Sequence, residues 1–220
     1  MPPPPMPYSV NRRPGDSVKS DTALRELVAA IVSGDQARAA LLLAASPELA
    51  ATHFQAGATR KITRKYFLER IPRYIFAGDT ALHIAAASYQ TGLVRKLIEA
   101  GADVHGRNRL GDQPLHSASV GIPGSASWNP SAQSATILCL IRAGADPNAT
   151  DKRGVTPLHR AVRTRCAAAV RTLLKCGADP MRKSKTGSTA LFLAVRTTGR
   201  GGSGSAQAKA EQESIVQLLR

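Results

Sequence analysis

An internal repeat dominates this chain. Aligned on one glycine, four segments read Gly78-Asp-Thr-Ala-Leu-His83, Gly111-Asp-Gln-Pro-Leu-His116, Gly154-Val-Thr-Pro-Leu-His159 and Gly187-Ser-Thr-Ala-Leu-Phe192. The first three run on to a second signature: Ala100-Gly-Ala-Asp103, Ala143-Gly-Ala-Asp146 and Cys176-Gly-Ala-Asp179. The anchor glycines lie 33, 43 and 33 residues apart, so two motifs recur in register and one unit is stretched by ten.

The physics of each unit is readable locally. Thr, or Gln113 in one unit, starts a helix, and the Pro or Ala that follows suits its first turn. Small residues between Leu82 and Ala87 let two helices approach closely. A second helix turns Leu97-Ile98, Leu140-Ile141 and Leu173-Leu174 inward, and Gly101, Gly144 and Gly177 stop it. The segment that follows, such as Pro147 to Gly154, is a projecting hairpin finger. No unit can bury its apolar face alone, so neighbours must stack. Upstream, Ala23–Val32 and Gln36–Ala45 form an amphipathic pair joined by Ser33-Gly34-Asp35, an atypical first unit at 21–54 that caps the stack. Five helix pairs are expected.

The two motifs resemble those of the ankyrin repeat, marked by T-P-L-H-x-A on a 33-residue period, over about residues 78–220. The resemblance implies an all-α solenoid of helix-turn-helix repeats at about 78–110, 111–153, 154–186 and 187–220. It also implies that His83, His116 and His159 make structural hydrogen bonds in the turns. Further, it implies that first helices line a concave face which, with the fingers, holds a partner. Proline-rich residues 1–20 lack apolar periodicity and are expected to be a disordered leader, or else a polyproline ligand.

Three departures from the repeat stand out. At 55–77 a basic and aromatic insertion replaces the first finger, with Arg60, Lys61, Arg64, Lys65, Arg70 and Arg73 against the single acid Glu69. Ile62, Tyr66 and Arg70/Ile71 have helical spacing, and Pro72 should end that helix. Its aromatics either fold onto the first repeat or present a binding element with the Arg/Lys face outward. The second and third departures lengthen inter-helix turns near 120–131 and 197–208, and the two extensions are placed to touch across the repeat between them. Trp128, the only tryptophan, clips its loop down or anchors a partner.

The chain carries 30 basic against 15 acidic residues, a net charge of +15. Residues 78–150 are neutral, whereas 151–220 carry +10, so the charge concentrates in the last two repeats and the first insertion. The residues expected to form a partner-binding basic groove are Arg64, Lys65, Tyr66, Arg70, Arg107, Arg109, Lys152, Arg153, Arg160, Arg163, Arg182, Lys183, Lys185 and Arg196. Such a groove would take an acidic protein or acidic tail; the alternative is nucleic acid held by the same groove and the 60–76 insertion. The last helix stops before any Gly-Ala-Asp cap, so the final repeat should fray or bury its open face in a second copy.

No chemistry is legible. His53 and His105 have no second ligand at helical spacing, no G-x-S-x-G occurs, and Gly199-Arg-Gly-Gly-Ser-Gly204 lacks the phosphate-loop Lys-Ser/Thr. No catalytic residue, metal or cofactor is expected. Three cysteines without a C-x-x-C argue for a reducing, cytoplasmic setting, and no apolar run is long enough for a membrane span.

Overall fold

The structure, a computed structural model, describes residues 14–196 and 206–220. Among the described residues ten α-helices are paired in chain order: α1 (Pro14–Ser33) with α2 (Gln36–Ala45), α3 (Ala81–Ala87) with α4 (Thr91–Glu99), α5 (Pro114–Ala118) with α6 (Pro130–Arg142), α7 (Pro157–Arg163) with α8 (Ala167–Lys175), and α9 (Ala190–Val195) with α10 (Ala206–Leu218). These are the five expected pairs. One apolar core runs from Leu24 to Ile215 and passes through Leu82, Leu97, Leu115, Leu140, Leu158 and Leu173. α1 begins at Pro14, inside the segment expected to be a leader; a proline at a helix start loses no internal hydrogen bond. The rest of that leader lies outside the described residues.

The first helix of each unit starts as its sequence dictates. Thr80, Gln113, Thr156 and Thr189 hold the N-cap position, and the motif histidine closes a reciprocal cap in the first three. His116 Nδ1 accepts the Gln113 N–H at 3.2 Å, so its Nε2–H donates to the Val155 carbonyl of the next repeat at 3.1 Å. His83 does the same with Thr80 and Asp112, and His159 with Thr156 and Ser188. Burial lowers the pKa of all three, that of His116 to about 4, which keeps them neutral clips between repeats. The Gly-Ala-Asp carboxylates close local turns, each accepting the N–H two residues on at 2.8 Å.

The helix expected between Ile62 and Ile71 does not form. Arg64–Tyr66 make one 3-10 turn, after which β1 (Phe67–Leu68) pairs antiparallel with β2 (Arg73–Tyr74), Phe67 opposite Tyr74. Around the hairpin burial alternates at period two, with Tyr66 and Ile75 inward and Phe67 and Tyr74 outward. β-branched and aromatic residues favour that pleated arrangement over a short isolated helix. The Phe67 and Tyr74 rings meet across the strands at 4.9 Å. Asp79, fully buried, ties the hairpin to the stack: it accepts from Arg73 Nη2 at 3.0 Å, the Phe76 N–H at 2.8 Å and the Asn108 amide at 2.9 Å.

The second departure is a loop over 120–129, between α5 and α6, as its position in the repeat required. The third falls mostly on 197–205, outside the described residues, and α10 already starts at Ala206. The expected approach of the two is visible at one point, where a Cβ placed on Gly124 would lie 3.9 Å from the Cβ of Gln207.

Candidate interaction face

Two residues before each of three repeat glycines stands a cation: Arg109, Lys152 and Lys185. Their backbone N–H groups each donate to the preceding finger, Arg109 to Ala77 at 2.7 Å, Lys152 to Leu110 at 3.0 Å and Lys185 to Arg153 at 2.9 Å. The cations therefore form a column with one member per repeat. Gly111 and Gly154 make that contact feasible. Both have positive φ, +84° and +71°, and a Cβ on either would come within 2.8 and 2.9 Å of the next finger's backbone nitrogen. Lys152, Arg153, Arg182, Lys183 and Lys185 are exposed at the C-terminal fingers, Arg196 just past the end of α9 rather than on it, and Arg64, Lys65 and Arg70 at the insertion. Arg163, on α7, is half-buried.

Several residues expected in the groove are instead spent on the fold. Tyr66 is 8 % exposed and belongs to the core, with the Arg25 guanidinium 5.6 Å from its ring. Arg160 donates through Nη2 to Asp112 at 2.7 Å and to Asp151 at 3.0 Å, and so braces two successive fingers. Burial works against ionisation of Asp151, but the N–H groups of Val155 and Arg153 and the Arg160 charge outweigh it and hold its carboxyl below the usual range. Arg107 is exposed yet donates to the carbonyls of Gly111 at 3.0 Å and Thr150 at 2.6 Å. Arg109 donates to Ala58 and lays its guanidinium 5.3 Å from the Phe76 ring centre. For the three arginines a carboxylate, a carbonyl or a ring claims the cation, which spacing alone could not reveal.

The first two departures, far apart in sequence, face each other. Ile71, Tyr74 and Phe76 of the hairpin and Val120, Ile122 and Trp128 of the loop wall a cavity of about 180 Å³. Its polar floor includes Asp112, His116 and Arg160. The loop wall is fastened at several points. Trp128 Nε1–H donates to Gln133 Oε1 at 3.0 Å, and the fully buried Gln133 donates to the Ala118 carbonyl at 3.0 Å. The Tyr89 hydroxyl donates to the Val120 carbonyl from a residue whose φ is +56°. Burial pushes the Tyr89 pKa far up, so the hydroxyl keeps its proton. Gly121 has no room for a side chain, since a Cβ would lie 2.8 Å from Cys166 Sγ, Trp128 Cδ1 and Tyr89 Oη. Of the two readings of Trp128, the clip is realised, and the same ring also lines the cavity.

The arrangement offers surface rather than reactive groups. Burial pushes the Cys166 thiol up to about 11, away from thiolate chemistry. Among the described residues no His/Cys/Asp/Glu group could hold a metal, and no helix is long and apolar enough to cross a membrane.

Sequence models of the ankyrin repeat match residues 77–109, as one repeat, and residues 124–219, as an array of three copies. No curated protein matches the chain.

Proposed function

Because the chain belongs to the ankyrin-repeat family, whose members generally mediate protein–protein interaction, we propose that it is a non-catalytic interaction module that holds an acidic protein segment against its basic finger face. The observation that carries this reading is the pair Lys152 and Lys185, exposed at the same position of successive repeats and extended by exposed Arg153, Arg182 and Lys183. An array of like charges at repeat spacing fits an extended chain of carboxylates, and a surface built only for solubility mixes its signs. Nucleic acid is the second reading, and its stacking support is weak. Of the insertion's aromatics Tyr66 is buried, Phe67 and Tyr74 meet each other, and Phe76 lies under Arg109.

A fluorescent poly-glutamate peptide and a fluorescent random-sequence oligonucleotide, each titrated at 50 to 200 mM salt, separate the two. We expect the peptide to bind, and binding to fall at least tenfold in a Lys152/Arg153/Arg182/Lys183/Lys185→Glu variant that melts as the parent does. Tight oligonucleotide binding with the steep salt slope of phosphate neutralisation, and no peptide binding, would favour the other reading.

A further inference from the structure

We propose that the cavity between hairpin and loop seats one bulky apolar side chain, aromatic or large aliphatic, from the acidic segment that the finger face holds. This rests on the reading above and adds the feature that sets sequence specificity. Charge alone would accept any acidic tail; a shaped apolar seat accepts few.

Size, lining and charge all point to that occupant. At about 180 Å³ the cavity is comparable in size to an apolar cavity of roughly 150 Å³ that takes up benzene. Tyr74, Val120 and Ile122 are 39, 38 and 40 % exposed, and all three face this one space rather than being scattered over the surface. An apolar pocket with such walls is where interfaces place the few side chains that carry most of their binding energy. At the base, Arg160 serves two carboxylates through Nη2 while its buried Nε has no partner. A buried donor left open is costly.

Cations flank the hairpin wall. Exposed Arg70 adjoins Ile71 of the wall, Arg109 covers Phe76, and neither makes an ion pair among the described residues. The one acid in the lining, Asp112, is already bound by Arg160.

The test uses the full chain and a display library of random twelve-residue peptides, selected in parallel on the parent, on Ile122→Asp and on Tyr74→Ala. Both substitutions fall at partly exposed wall positions, and equal unfolding midpoints establish that the variants fold. The expected result is enrichment of peptides with one large apolar residue inside an acidic stretch. A synthetic tryptophan-free member should change the emission of Trp128, the protein's sole tryptophan, saturably. Replacing its apolar residue with alanine, or using either variant, should weaken binding about tenfold or more, as loss of a buried large side chain requires. Acidic peptides without an apolar anchor, held equally by all three proteins and silent to Trp128, would overturn the seat and leave the basic-face reading standing. No enrichment, or enrichment without acidic residues, would overturn both.

Discussion

The finger column and the cavity are two ways of making a surface from the same repeat. In the column every unit contributes the same position, so Arg109, Lys152 and Lys185 repeat because the backbone hydrogen bonds beneath them repeat. In the cavity nothing repeats. One wall comes from a hairpin that stands where a finger should be, the other from a turn lengthened by ten residues, and Asp79 and Tyr89 fasten them to the regular stack. Periodic surface is cheap to build and generic in what it attracts. The aperiodic surface needs dedicated buried contacts, and it is there that shape can discriminate.

The sharpest way to break this comparison is at the fastening points. Asp79→Ala removes the buried carboxylate that binds Arg73, Phe76 and Asn108, and should cost about 3 kcal/mol in urea unfolding, as loss of one partner of a buried pair does. A cost below about 1 kcal/mol would mean that the hairpin is an ornament on the stack.

Acid titration probes the regular region. The folded pKa of His116, about 4, lies below the ordinary 6.5, so between those values the unfolded chain takes up protons that the folded chain refuses. Stability is therefore complete above about pH 6.5 and declines as pH falls toward 4, by on the order of 3 kcal/mol for this one clip. His83 and His159 act in the same direction. Unfolding midpoints between pH 7.5 and 4.5 should show the slope, and His116→Gln should flatten it; an unchanged slope would separate acid sensitivity from that clip.

Gly121→Ala is the mildest perturbation. Its new Cβ meets three side chains at 2.8 Å, which must shift, so a loss of roughly 1–2 kcal/mol is expected together with a change in Trp128 emission. Unaltered emission would show that the loop yields without moving the cavity wall.

The histidines illustrate what was legible beforehand. Each lies five residues after its glycine and three after its cap, and that fixed offset is what lets Nδ1 reach one backbone N–H while Nε2 reaches the next repeat. Arg160 shows the opposite. As a cation on a first helix it read as groove surface, yet Asp112 and Asp151, 48 and 9 residues away, draw it into a brace. The insertion misled for a related reason: a helical spacing of Ile62, Tyr66 and Ile71 also fits a turn and hairpin, and only the stack beneath, through Ile75 bonded to Tyr66 and Ala58, selects between them.

By itself, then, the sequence determined the repeat, its caps, its turns and the sign of its charge, because each depends on residues within a few positions of one another or on a constant period. The tertiary structure decided which cations remain free, how the insertion folds and that two distant departures enclose one cavity. Those outcomes depend on buried partners at long and irregular separations, where the cost of leaving a charge or a polar group unpaired outweighs any local preference.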